Sequence, residues 1–271
     1  MAEVLDEPKR YWRIYWLYFK QFWKTRLIYK ADFLTGFAAH SISVVFSLLF
    51  LTLLFTQVNS IAGWTFDQML FLAGVGGFIM NLHHIFLFNI YRLGDEYIVT
   101  GDFDRFLLRP LSPLFQVYAD AVRDNSVAKL LVNIGILAYA IPRLNVTLFT
   151  PGKMLYSVAA ILSGVLIFAA VYLAFSSTAF WTGRSRAAIW LVFRLSDFRK
   201  YPYGIYGKAV QAILVTLIPI AFASFFPAAY LLEKPGWTNF QVGALIAGPV
   251  FYLLALQLWK LGLRNYSSTG S

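Results

Sequence analysis

Apolar residues run through this chain in long unbroken stretches, and polar residues gather in short bands between them. Six stretches, at 33–58, 69–90, 126–142, 154–181, 209–226 and 242–261, are long enough to cross a hydrocarbon layer of about 30 Å as helices. The apolar–polar alternation of a membrane β-barrel is absent, so helices are the spanning solution. The pattern predicts an all-α integral membrane protein with six transmembrane helices. It divides the chain into an N-terminal segment 1–30, a membrane domain 31–266 and a polar tail 267–271, expected to be disordered.

The N-terminal segment has its own period. At about 100° per residue, Lys9, Arg13, Lys20 and Lys24 share an arc of about 60°. Tyr11, Trp12, Tyr15, Tyr18, Phe19, Phe22 and Trp23 fill the opposite arc, with Trp16 at the edge of the basic face. Such an amphipathic helix lies in the headgroup plane. It serves either as a plain anchor or as an anchor that also flanks a cytoplasmic partner. No signal peptide is read in the first 30 residues, which lack an apolar core and a small-residue cleavage site.

Charge orients the spans. Of 23 Lys and Arg, 20 fall in segments 9–30, 92–129, 184–208 and 260–264. The other bands hold only Arg143, Lys153 and Lys234. An excess of cations marks cytoplasmic segments, so both termini are expected in the cytoplasm. The net charge of +10 then meets anionic lipid on the inner leaflet. Nucleic-acid binding does not fit, because the basic residues are spread over four membrane-flanking bands. Cysteine is absent, which removes disulfides and thiolate metal sites.

Two bands carry chemistry. The first, 92–113, reads RLGDEYIVTGDFDRFLLRPLSP. Thr100 or Asp102 can cap a short helix, with acids early in it as the helix dipole prefers. Pro110 and Pro113 are expected to end it. Phe103, Phe106, Leu107 and Leu108 supply an apolar ridge, with Asp102, Asp104, Arg105 and Arg109 around it. That combination suits docking in a groove of another protein; an ordinary interfacial loop with internal ion pairs is the plainer reading. The second band is 183–208, also expected as a cytoplasmic loop.

Inside the spans, polar side chains are costly and mark candidates for function. They are His40, Asn81, His83, His84, Asn89 and Asn133. His83 and His84 are adjacent, so their side chains diverge by about 100° and share a metal poorly. No metal is expected. The run Gly74-Val75-Gly76-Gly77 reads as close helix packing. Phe46, Phe50, Phe55, Phe71 and Phe78, with Asn81 and His84, are candidates to line a cavity for a lipophilic or cationic substrate. No G-x-x-x-x-G-K-[ST] loop occurs, so ATP, if used, is bound by another polypeptide.

GDFDRFLLRPLSPLF at 101–115 resembles the GD-D-LLRPL-P signature of ABC-2-type exporter permeases, in the subfamily of six-span bacterial proteins. FRKYPYGIY at 198–206 resembles that subfamily's F-x-x-YP-x-x-IY element, although Gly207 stands where Pro often follows. The segment 227–240, with Pro227, Pro235 and Gly236, resembles the outer re-entrant hairpin of such permeases. The resemblance implies a subunit of the bacterial inner membrane that pairs with a second permease, identical or paralogous. It implies two separate ATPase subunits carrying the ATP and magnesium. The stretch from Asp102 through Phe103, Asp104, Arg105, Phe106, Leu107, Leu108 and Arg109 to Pro110 would couple to them. It further implies export of a drug-like molecule, a lipid or a glycan. Two other readings stay open: a scaffold or assembly protein without transport, and a stand-alone secondary carrier. The carrier wants paired carboxylates in mid-membrane, and the sequence has none there.

Overall fold

A computed structural model describes residues 2–28, 30–121 and 125–268, without the side chains of 2–8, 22–23, 25–34, 36–37, 39–41, 43 and 125. Phe22, Trp23 and His40 as side chains, Arg123, Asp124 and residues 269–271 therefore lie outside the described residues. What is described is helical, with no strand.

The helices are α1 Ala2–Ile28, α2 Lys30–Gln57, α3 Phe66–Phe86, α4 Asp104–Leu107, α5 Pro113–Ala119, α6 Asn125–Ala140 and α7 Pro151–Ser177. They continue with α8 Ala179–Thr182, α9 Arg186–Ser196, α10 Lys208–Thr216, α11 Ile220–Ala223, α12 Phe225–Leu231 and α13 Thr238–Asn265. Among the described residues, four helical stretches are long and apolar enough to cross a membrane: Phe66–Phe86, Ser126–Arg143, Pro151–Thr182 and Thr238–Asn265. The expected first span becomes α2, whose described apolar part is Val44–Gln57.

The expected fifth span, 209–226, is not one helix. Lys208–Thr216 and Ile220–Leu231 meet at 69°. The break falls at Pro219, which has no N–H to continue the ladder and restricts the residue before it. Pro227, expected to break the chain, instead sits buried inside α12.

Packing follows small residues. At α3, a Cβ on Gly74 would lie 2.8 Å from Leu137, and one on Gly77 would lie 2.0 Å from Asn133. The glycine run is thus what lets α6 approach. The most extensive pairing is α7 with α13. Pro249 removes one hydrogen bond inside α13. One residue earlier the ladder is opened by a neighbour: Ser163 of α7 donates to the Ala244 carbonyl and accepts the Gly248 N–H at 2.9 Å. A hydroxyl inserted into the i→i−4 ladder satisfies both groups where the helix is already weakened.

Ser268 also differs from expectation. Its place in the polar tail predicts disorder, yet its hydroxyl donates to Asp104, beside Tyr266, which donates to the same carboxylate at 2.9 Å.

Candidate functional site

Two places bring the candidate residues together: a polar tip after α3, and a cavity between α2, α3 and α6.

The tip starts where α3 stops being α-helical. Phe88–Arg92 is a 3-10 turn and Leu93–Ile98 a π-helical stretch that closes with an Arg92–Glu96 ion pair. Gly101 then adopts φ +78°, a left-handed conformation that costs other residues about 1–2 kcal/mol. The short helix α4 follows. Neither Thr100 nor Asp102 caps it, because Phe103 occupies the cap position and the Thr100 hydroxyl is spent on Glu96 and Asp102. Pro113 does not end α4; it opens α5, where the Ser112 side chain accepts from the Phe115 N–H.

The expected apolar ridge divides. Phe103 and Phe106 are 0% and 1% exposed, whereas Leu107 is 44% and Leu108 86% exposed. Phe103 meets Phe180, Trp259 and Tyr266 edge-on, at 5.5, 6.2 and 5.0 Å between ring centroids. Phe106 packs edge-on to Tyr97 at 5.1 Å. The two phenylalanines are roots within the chain rather than contacts for a partner. The reason is spacing: on a single turn, residues at i and i+3 share a face, and that face turns inward, Phe103 to α8 and α13 and Phe106 to Tyr97.

Arg105 is a root too. Its guanidinium lies over Phe106 at 4.9 Å and reaches Asp120 at 3.4 Å. Tyr97 donates to the same Asp120 carboxylate at 2.6 Å and accepts from Asn89 at 3.0 Å. Burial, with the Asp120 carboxylate adding to it, pushes the Tyr97 phenol up, so it stays a donor at neutral pH. Asn89 also donates to the Val117 carbonyl at 2.6 Å, and Gln116 to the carbonyls of Phe106 and Leu111 at 2.8 and 3.0 Å. What projects from this base is Asp102, Leu107, Leu108, Arg109 and Pro110, all exposed.

Helix α1 packs against the same unit. Tyr11 accepts from the Ser112 N–H at 3.0 Å and meets Phe115 edge-on at 4.6 Å. Tyr15 donates to the Phe86 carbonyl at 3.3 Å, and Phe19 stacks on Phe86 at 6.3 Å. Trp12 and Trp16 stay outward and stack on each other. The aromatic arc of α1 thus splits between this chain and its surroundings.

The candidate cavity residues do not share one space. Phe46, Phe50 and Asn81 line a cavity of about 620 Å³ between α2, α3 and α6. Phe71 and Phe78 line a separate apolar pocket of about 360 Å³ with Leu137, Phe149 and Pro227. Phe55 packs edge-on to Phe66 at 5.6 Å. His84 lies 3.4 Å from the Tyr172 hydroxyl, in an aromatic cluster with Phe88 and Phe193. His83 stacks on Tyr172 at 5.0 Å and has no hydrogen-bond partner on either ring nitrogen among the described residues. Among the described residues, no group of three His, Cys, Asp or Glu is placed to hold a metal.

Sequence reasoning missed one wall of the larger cavity. The sequence reads 183–208 as a cytoplasmic loop; in the fold α9 packs along α7, and Arg199 places its Cγ 3.2 Å from where a Gly76 Cβ would be, at the midpoint of α3. Tyr203 goes further and meets Trp237 and Phe226 at 5.1 and 5.5 Å. The signal was present in Gly76 and in the tyrosine-rich 198–206 stretch, but four charges between 194 and 200 read as solvent-facing.

The chain is thus a multi-helix apolar bundle with a buttressed polar tip. The family described as ABC-2 family transporter protein matches residues 41–270, and the chain belongs to it. It is a multi-pass membrane protein of a transporter family. No curated protein and no solved structure matches the chain.

Proposed function

We propose that the chain is the permease subunit of an ATP-driven exporter in a bacterial inner membrane, working with a separate ATPase that docks on the tip 102–110. The observation that carries this reading is the tip itself, within a chain of transporter-family membership. Leu107 to Pro110 project from a base held by Phe103, Phe106, Arg105 and Asp104, so the tip can be pushed as one rigid body. A loop needed only to connect helices would not require four anchors. α1 bears on α5 and would carry the same motion to the membrane surface. A second permease, identical or paralogous, completes the pathway. The substrate has a lipophilic part, as in a drug-like molecule, a lipid or a lipid-linked glycan.

ATP and magnesium belong to the partner in this reading. The purified chain should therefore leave a photo-crosslinkable ATP analogue unlabelled, while a complex with its ATPase labels on the ATPase band. Labelling of this chain alone at micromolar analogue would overturn the proposal.

Topology gives an independent check. The chain has no cysteine, so single cysteines report position cleanly. A cysteine at Leu108 should react with an impermeant thiol reagent only from the cytoplasmic side, and one at Asn145 only from outside. One at Arg199 should react from neither side without denaturant. Labelling of position 108 from outside intact cells would remove the tip from the ATPase side.

A further inference from the structure

The cavity between α2, α3 and α6 is charged in a way that an apolar bundle does not need for its own stability. One wall is apolar: Phe46, Phe50, Leu51 and Leu70. The facing wall carries Lys129 from α6 and Asp197, Arg199 and Lys200 from the segment after α9. Among the described residues, Arg199 and Lys200 share one carboxylate, a formal excess of one positive charge, and Lys129 stands on the same wall with an interaction of its own. That carboxylate is shared: one oxygen of Asp197 lies 2.7 Å from Lys200 and 3.4 Å from Arg199. Arg199 is 9% exposed, donates from Nη1 to the Ser196 carbonyl at 2.7 Å, and leaves its Nε with no hydrogen-bond partner among the described residues. A buried guanidinium with an unused donor is costly unless something satisfies it.

From this wall we infer that the cavity binds an amphiphilic anion, with its phosphate or carboxylate head at Arg199 and Lys200 and its apolar tail along Phe46 and Phe50. The inference rests on the transport reading for its purpose and names the substrate class. A cationic substrate, expected from the aromatic residues alone, meets like charge here. About 620 Å³ is within the usual size of small-molecule sites, roughly 300–1,000 Å³. Arginine suits the head because its planar fork binds carboxylate and phosphate through two parallel hydrogen bonds.

The test uses the full chain in phosphatidylcholine nanodiscs, with no ATPase present. A dansyl-labelled fatty acid is the probe, and oleate, oleoyl lysophosphatidate, oleyl alcohol and inorganic phosphate compete for it. Oleate and the lysophosphatidate should displace the probe at least ten times better than oleyl alcohol. Inorganic phosphate at the same concentrations should not displace it. Lys200→Gln should weaken oleate about tenfold and leave oleyl alcohol unchanged. Lys129→Gln, on another helix, gives a second reading if Lys200→Gln does not fold. Arg143→Gln, on the exposed outer turn, should change nothing. Equal displacement by acid and alcohol, or unchanged oleate affinity in both cavity variants, overturns the inference. Displacement by inorganic phosphate alone would leave an anion site without a tail and also overturn it. Binding as expected, but no ATP-dependent movement of oleate by the chain with its ATPase in vesicles, would overturn the transport reading and leave the site standing.

Discussion

Replacing Leu107 and Leu108 together by Asp yields a chain that inserts and purifies as the parent does but no longer holds its ATPase. Both side chains are exposed and make no core, so their loss leaves the fold intact. If they fill a pocket on the partner, each is worth on the order of 2 kcal/mol, so their joint loss weakens the complex by two to three orders of magnitude. Burying a carboxylate in that pocket adds to the loss. Arg105→Glu is a different experiment. It places a carboxylate against Asp120 and removes the cover over Phe106 and Tyr97, so it loosens the base of the tip before it touches any partner. The double variant and Arg105→Glu should thus differ in thermal stability while both lose the ATPase. Measured by co-purification and by substrate-stimulated ATP hydrolysis, full retention of the ATPase in the double variant would take the coupling role from this tip.

Gly248→Val should remove most folded protein from the membrane fraction. A Cβ at 248 would lie 2.1 Å from the Ser163 carbonyl oxygen, which is backbone and cannot step aside. The most extensively paired helices, α7 and α13, pack there, and separating them also breaks the Ser163 bridge to Ala244 and Gly248. Overpacking costs about 1–3 kcal/mol where side chains can adjust, and more where they cannot. Gly243→Ala is the control on the same helix, since its nearest neighbour would be Phe222 at an ordinary 3.6 Å. Size-exclusion profiles in detergent should show a monodisperse peak for Gly243→Ala and aggregate for Gly248→Val. A normal peak for Gly248→Val would mean that α7 and α13 do not meet closely at Gly248.

Four of the six expected spans and the glycine packing were legible because their physics is local. An apolar run long enough for a bilayer announces itself, and a glycine cluster on one turn can only serve close approach. The tip was legible as a place and not as a surface. Phe103 and Phe106 share a face with each other, but nothing in their spacing says whether that face looks to α13 or to another protein. The bend at Pro219 was hidden because the apolar run passes through it without interruption, while Pro227 and Pro235 drew attention downstream. Arg199 was misplaced for an electrostatic reason. Charges in a chain this apolar read as outside the membrane unless a partner is visible, and here the partners are Asp197, the Ser196 carbonyl and a gap left by Gly76.

That gap bears on how the protein is made. A lone arginine or lysine at the centre of an inserting helix costs about 2.5–3.5 kcal/mol. The stretch from Arg186 to Tyr206 carries several cations and could not enter lipid by itself. Its place in the fold depends on the notch at Gly76 of α3 and the flank of α7. The expected consequence is an order of assembly in which α3 and α7 pack before the charged stretch is drawn in. Filling the notch, as Gly76→Leu would, should leave early segments inserted and strand the later ones, giving a protease-sensitive intermediate instead of general misfolding.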